Sequence, residues 1–185
     1  MRFKSKESLT PAQKKRMRLV ELAVFPMLGV IMFCSKLLME FLPNIHIVGM
    51  LVMLYTVVFR VKALIPIYIF VFLTGLYAGF DVWWLPYTYI WTVLWAFVML
   101  IPKKTPKKAL PIIYMSVAAL HGFLFGILYA PAQAIIFGLN FKSTIAWIVS
   151  GFPFDLIHGA SNFICVILIC PVIAVLNRVY WGKSI

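Results

Sequence analysis

Three polar residues in an apolar stretch near the C-terminus have the side chains best suited to chemistry. Asp155, His158 and Asn162 are spaced three and four residues apart, so a helix places them on one face. Lipid cannot satisfy such groups, and we therefore expect the stripe to face the interior of a helix bundle or a cavity. His121, in an earlier apolar stretch, could approach it. Two roles stay open, a hydrogen-bonded network that joins two helices or contact with a ligand.

The same side chains raise the alternative of an intramembrane metal-dependent enzyme. Asp155, His158 and His121 form a chemically plausible set of three metal ligands. The sequence contains no HExxH, no GxSxG and no Walker-type loop, however, so no motif for metal, nucleophile or nucleotide chemistry supports it. We therefore expect no catalytic residue, no resident metal and no intrinsic cofactor.

Aromatic residues form a second group of candidates, in the segment DVWWLPYTYIW at positions 81–91. Trp84, Tyr87 and Trp91 follow one another at helical spacing, which places them on one helix face. That face predicts an outward-open pocket for a flat organic ligand. The alternative is the belt of aromatic residues that membrane proteins carry at the water interface.

The elements that hold these residues must cross a membrane. Of the 185 residues, 64% are hydrophobic and only 12% are charged, whereas a soluble domain has about 25% charged residues. Too little polar surface remains to cover a water-facing shell, which excludes an ordinary soluble protein. A helical span needs roughly 20 apolar residues. Six spans therefore fit, with no room for a soluble catalytic or nucleotide-binding domain.

Charged and turn-forming residues divide the apolar sequence into six predicted spans. They cover approximately residues 20–42, 45–59, 63–79, 82–101, 110–138 and 143–176. A basic tail, residues 1–18, precedes a transmembrane domain of residues 19–179, and residues 180–185 form a short C-terminus. The predicted fold class is thus an all-α integral membrane protein.

The basic residues predict the orientation of these spans. Lys and Arg number 17 against 5 Asp and Glu. In the six-span arrangement, all of the basic residues except Lys36 and Lys142 fall on one side of the membrane. The positive-inside rule then predicts six helices with both termini in the cytoplasm. It also explains the basic runs without nucleic acid as a partner. Within the first span, Lys36 and Glu40 lie one helical turn apart and can pair.

Three segments resemble the substrate-binding S components of energy-coupling factor (ECF) transporters: PNIHIVGMLVMLYTVVFRVKALIPIYIFVFLTGLYAGF, WWLPYTYIWTVLW and GFPFDLIHGASNF. The likeness covers about residues 21–178 and is strongest in the PN-plus-His loop and the FDLIHG stretch. It implies a multi-pass protein of the bacterial cytoplasmic membrane that captures a vitamin from outside. It also implies partners, a transmembrane coupling subunit and two cytoplasmic ATPases. Those partners would hydrolyse ATP, so the chain itself is not expected to be an enzyme.

The resemblance further implies an outward-facing substrate site walled by the outer loops and spans four to six. Carried onto this sequence, the site comprises Asn44, His46, Trp84, Tyr87, Trp91, Gln133, Asp155, His158 and Asn162. S components dock through small residues at AxxxA spacing on the first helix, which here fall at Ala23 and Met27, with Met27 in place of the second alanine. Docking through small residues is also possible around Gly29.

By the resemblance, the expected substrate is cobalamin or a related corrinoid, and a pocket rich in aromatic rings and poor in fixed cations suits such a large, weakly charged ligand. Pantothenate or another small vitamin is the alternative substrate. An assembly subunit without a transport role and the intramembrane metalloenzyme are the alternatives from other functional classes.

Overall fold

The computed structural model describes residues 10–181, and all of the regular secondary structure in this part of the chain is helical, without a β-strand. The helices are α1 Pro11–Leu38, α2 Val48–Phe59, α3 Leu64–Ala78, α4 Tyr87–Leu100, α5 Leu110–Phe123, α6 Phe125–Phe137, α7 Phe141–Cys165 and α8 Ile169–Trp181. The first half of the predicted basic tail and Lys183 lie outside the described residues. The second half of that tail already belongs to α1.

Within residues 10–181, four helical stretches are long and apolar enough to cross a membrane: Met17–Leu38, Val48–Ala78, Leu110–Phe137 and Phe141–Tyr180. Tyr87–Leu100 is a shorter apolar helix. Large apolar side chains such as Leu22, Ile135 and Val179 are exposed, as the lipid-facing surface of a membrane protein requires. The prediction of an all-helical protein with membrane-length apolar helices is therefore confirmed.

The chain reverses direction inside the stretch Val48–Ala78. α2 ends at Phe59, Arg60 has a positive φ of 56°, and a 3-10 turn over Arg60–Ala63 leads into α3. Two hydrogen bonds hold this turn against the end of α4. The indole Nε1 of Trp95 donates to the Arg60 carbonyl at 3.1 Å, and the Arg60 guanidinium donates to the Met99 carbonyl at 3.5 Å.

Contacts with α1 show the reversal directly. α2 runs antiparallel to α1, whereas α3 runs parallel to it, so that α2 and α3 point in opposite directions. The contacts that show this are, for α2, Phe25 with Phe59 and Leu28 with Tyr55, and, for α3, Gly29 with Ile69 and Phe33 with Tyr77.

α2 is the central helix of the bundle. Ten of its twelve residues are buried, because α1, α4, α5, α7 and α8 all contact it. A helix that is apolar on every side is buried on every side, which is why α2 contains no charged residue.

The predicted fifth span is bent into two helices that pack antiparallel on α7. α5 ends at Phe123, Leu124 has φ −89° and ψ 0°, and α6 begins at Phe125. Along α5 and α6, residues spaced four apart contact α7. We call this set of contacts the small-residue ladder. Its rungs are Ala118 with Asn162, Gly122 with Gly159, and Gly126 with Asp155. The two glycines facing each other in the middle rung let the helix backbones approach closely.

Candidate functional site

The predicted site residues that meet most closely surround the indole of Trp91 on α4. Trp91 is only 2% exposed. Its ring centroid lies 5.9 Å from that of Tyr87, 5.8 Å from that of His121 and 6.2 Å from that of Phe125. We call this group the Trp91 cluster; its members are His46, Tyr87, Trp91, His121, Phe125 and His158. They come from the loop before α2 and from α4, α5, α6 and α7, so the cluster depends on the packing of all five.

All three histidines of the sequence belong to the Trp91 cluster. The His46 ring lies 6.1 Å from Trp91 and 5.0 Å from His158, and His158 lies 4.8 Å from Phe125. Burial lowers the pKa of His46 to about 4, and the nearby Lys36 ammonium also lowers it. His46 is therefore uncharged at neutral pH.

The histidines are not arranged as metal ligands. Within residues 10–181, no three or more His, Cys, Asp or Glu side chains form a group that could hold a metal ion. The set considered from the sequence, His121, Asp155 and His158, is not such a group. The Asp155 carboxylate is instead directed to a backbone amide, and His121 to a backbone carbonyl.

One contact assigns the tautomer of His121. Its Nε2 lies 3.1 Å from the carbonyl oxygen of Ile90 on α4. A carbonyl can only accept a hydrogen bond, so Nε2 must carry the proton. The ring is fully buried, and a buried charge without a partner is costly. His121 is therefore neutral, and its Nδ1 is an acceptor.

Unpartnered polar atoms are concentrated around this cluster. Among the side chains that the structure describes, the buried nitrogen and oxygen atoms without a hydrogen-bond partner are His46 Nδ1, Trp91 Nε1, His121 Nδ1, His158 Nε2 and Asn162 Oδ1. Each such atom costs about 1–3 kcal/mol of stability. Buried polar groups in proteins are usually hydrogen-bonded, so their collection in one place calls for an explanation.

Asp155 connects α7 to the start of α6. Both oxygens of its carboxylate lie 3.1 Å from the backbone nitrogen of Gly126, which donates to them. The bend at Leu124 leaves this amide without a partner in its own helix, and a negative charge at a helix N-terminus is favourable. Asp155 is buried one helical turn from His158, and its carboxylate holds the bent segment in place beside the cluster.

Two asparagines follow or precede members of the cluster in the chain. Asn162 lies one helical turn after His158 on α7, and Asn44 lies two residues before His46. The Asn162 Nδ2 donates to the Ala118 carbonyl at 3.4 Å, and its Oδ1 lies against Gly49. The next residue back along α7, Ser161, donates from its hydroxyl to the Asn44 carbonyl at 3.0 Å. Asn44 has a positive φ of 60°, and this conformation and contact hold the loop that carries His46 against α7.

Trp84 and Gln133 lie apart from the rings of the cluster. The Trp84 indole donates from Nε1 to the Val71 carbonyl at 2.8 Å and contacts Phe80, both on the α3 side. The helical spacing proposed for Trp84 does not apply, because α4 begins only at Tyr87. Gln133 is partly buried on α6.

Three contributing aromatic residues were not predicted from the sequence as site residues. Trp83, rather than Trp84, contacts Tyr87, with ring centroids 5.7 Å apart. Phe125 lies at the centre of the cluster, and Tyr129 contacts it and donates to the Trp83 carbonyl at 2.9 Å. The sequence contained a signal for Phe125 and Tyr129. Together with His121 they are spaced four residues apart, which predicts one shared helix face.

The residues proposed for partner docking do not share one face of α1. Ala23 and Met27 are exposed, one helical turn apart. Gly29 is buried, and a Cβ there would meet Ile69 of α3, so a neighbouring helix of the same chain already covers it.

The predicted pairing of Lys36 with Glu40 is not seen. Among the described side chains, the ion pair joins Lys62 to Glu21.

The fold and the site together define a class, an all-helical protein whose membrane-length apolar helices enclose a cluster of aromatic and imidazole rings. No family model, curated protein or solved structure matches the chain. The likeness to S components therefore rests on the three sequence segments given above.

Proposed function

We propose that this protein is the membrane-embedded substrate-binding subunit, the S component, of an ECF-type importer that takes up a vitamin. The observation that carries the proposal is the Trp91 cluster. It combines a mostly aromatic wall with a few buried polar atoms that have no partner in the protein. Sites for small organic ligands have this composition, in which apolar surface supplies affinity and a few polar groups supply orientation.

In this proposal the chain crosses the membrane six times, with both termini in the cytoplasm. The reversal at Arg60–Ala63 makes two crossings of the stretch Val48–Ala78. Tyr87–Leu100 supplies another; its 14 residues span about 21 Å, so the turn before it would complete the crossing. The basic loop at residues 101–109 and the Arg60 turn then lie on the cytoplasmic side.

This orientation puts the Trp91 cluster in the outer half of the membrane. His46 precedes the start of α2, and Trp91 lies near the start of α4, both at the end of the bundle opposite Arg60. A ligand arriving from outside would therefore reach the cluster first. The exposed Ala23 and Met27 on α1 are the proposed contact for a coupling subunit, whose ATPase partners would supply the energy.

The spacing of the rings bears on the substrate. Neighbouring ring centroids in the cluster lie 4.8–6.5 Å apart, which is ordinary contact between aromatic groups. A compact polar group can enter such a cluster with small side-chain movements, whereas a whole corrin ring cannot. A corrinoid would have to present a peripheral side chain to the cluster, and a smaller vitamin could insert directly.

The test is a thermal-shift and calorimetric screen of the purified protein in detergent against cobalamin, cobinamide and pantothenate. A ligand at one hundred times its dissociation constant stabilises the folded state by about 2.7 kcal/mol. We expect binding without ATP, weakened by His158→Ala. The matched control is Ser150→Ala on the same helix, because Ser150 is exposed and only donates to the Ala146 carbonyl. A well-folded protein that binds none of the three would favour the assembly-subunit alternative.

A second arm addresses transport. Reconstituted with a coupling subunit and its two ATPases, the protein should accumulate the bound vitamin in vesicles only when ATP is present. Stoichiometric bound metal in the purified protein, lost in His158→Ala, would instead favour the metalloenzyme alternative.

A further inference from the structure

Three of the unpartnered atoms have a hydrogen-bonding role that the structure fixes. Two belong to the Trp91 cluster, and the third belongs to Asn162, one helical turn beyond His158 on α7. Trp91 Nε1 can only donate. His121 Nδ1 can only accept, because Nε2 carries the proton that is donated to Ile90. Asn162 Oδ1 can only accept, because the amide nitrogen of that side chain donates to Ala118. The three side chains are each at least 98% buried.

We infer that the Trp91 cluster recognises an uncharged amide-type group on the ligand, such as a carboxamide, a lactam or a ureide. The Trp91 N–H donates to the carbonyl oxygen of that group. His121 Nδ1 and Asn162 Oδ1 are the acceptors for its N–H donors. This inference rests on the proposed function and names the chemical class that the site selects.

The hydrogen-bonding pattern disfavours charged groups. A carboxylate has only acceptors, so it would meet one donor and two opposing lone pairs in the cluster. An ammonium group would find the two acceptors but would leave the Trp91 N–H facing a positive charge. The nearest carboxylate on α7, that of Asp155, is engaged with the Gly126 amide. A cation buried there would have no free counter-charge, which is strongly unfavourable, whereas a neutral amide satisfies both kinds of atom.

The probes for the test are cobalamin, biotin, riboflavin, pantothenate and nicotinamide, each of which carries an amide-type group, together with nicotinate. Nicotinate differs from nicotinamide only by a carboxylate in place of the carboxamide. Dissociation constants are measured by calorimetry on the full-length protein in detergent and on two variants. Trp91→Phe keeps a ring but removes the donor, and Asn162→Leu keeps the approximate volume but removes the acceptor.

We expect at least one amide-bearing probe to bind, and to bind each variant roughly tenfold or more weakly than the wild type. The matched control is Trp95→Phe on the same helix, which removes an indole N–H that is already bonded to the Arg60 carbonyl outside the cluster. We expect that variant to bind within twofold of the wild type. Melting in the absence of probe separates lost binding from misfolding. Asn162→Leu should remain folded, since it removes an unpartnered oxygen, and the Ala118 carbonyl that also loses a donor lies inside α5, where a helix amide can bond it. Trp95→Phe should be destabilised.

Two results would overturn the inference while leaving the proposed function standing. One is a probe that binds wild type, Trp91→Phe and Asn162→Leu with the same affinity. The other is nicotinate binding more tightly than nicotinamide. If none of the six probes binds the folded wild-type protein, the proposed function itself fails and this inference fails with it.

Discussion

Replacing Gly122 by alanine would test how closely α5 and α7 must approach to build the Trp91 cluster. A Cβ at this position would lie 2.7 Å from the Cα and the nitrogen of Gly159 and 2.9 Å from the carbonyl carbon of His158. All three are backbone atoms, so no side chain can rotate away to relieve the contact. The two helices must therefore separate by about 0.7 Å to reach ordinary van der Waals contact at 3.4 Å.

The expected cost follows from the tight packing of this interface. Inserting a methyl group into a packed interior typically destabilises a protein by about 1–3 kcal/mol. The separation also moves His121 and His158 apart, because each is the immediate neighbour of a glycine in the middle rung. We therefore expect Gly122→Ala both to lower the melting temperature and to weaken vitamin binding.

The assay is thermal unfolding in detergent, followed by tryptophan fluorescence, together with calorimetric binding. Gly151→Ala is the matched control, because Gly151 lies in α7, the helix that Gly122 packs against, and a Cβ there would meet nothing within 4 Å. Alanine is the better helix former by about 1 kcal/mol, so this variant should be unchanged or stabilised. If Gly122→Ala melts and binds like Gly151→Ala, the close approach of the helices is not what positions the histidines.

Three further outcomes are expected. Burial lowers the pKa of His46 from 6.5 to about 4, so between these values the unfolded chain binds more protons than the folded one. The free energy of unfolding should fall by about 3 kcal/mol at most as the pH drops through this window. In thermal melts, this free energy should depend less steeply on pH in His46→Gln than in the wild type. An equal dependence on pH in both proteins would contradict the lowered pKa of His46. Asp155→Leu should destabilise by about 1–3 kcal/mol because the Gly126 amide loses its acceptor, and Asp155→Asn, which keeps one oxygen, should cost less in the same melts. Lys62→Met should lower the free energy of unfolding by less than about 1 kcal/mol, because the ion pair of Lys62 with Glu21 is partly exposed. A larger decrease, measured by denaturant unfolding, would show that this ion pair is essential to the turn at Arg60–Ala63.

The helices themselves were predictable because apolar composition and helical spacing are local properties of the sequence. The stripe at Asp155, His158 and Asn162 is buried, as its three- and four-residue spacing indicated. The reversal near Arg60 was predicted as a span boundary from the two basic residues there. Helix ends were less predictable, since Trp84 was placed on a helix that begins only at Tyr87.

The partners of the site residues could not be predicted, because they depend on which helices pack together. Nothing local indicates that Asp155 accepts a hydrogen bond from Gly126, since the free amide exists only because the chain bends at Leu124. The same holds for Gly29, whose lack of a side chain is equally suited to docking a partner or to packing on Ile69. The sequence shows that such a residue permits close contact. Only the fold determines whether that contact is with a helix of the same chain or with a partner protein.

The small-residue ladder and the Trp91 cluster draw on the same turns of α5, α6 and α7, which couples ligand binding to helix packing. The glycines of the ladder bring the backbones together but contribute no side-chain contacts of their own. The adjacent cluster contains polar atoms whose burial opposes folding. These atoms therefore lower the stability of the apoprotein where it is proposed to bind, and a ligand that satisfies them would strengthen the contact of α5 with α7. Ligand-induced protection from hydrogen exchange should accordingly concentrate in the residues of this contact rather than in α1 or α3.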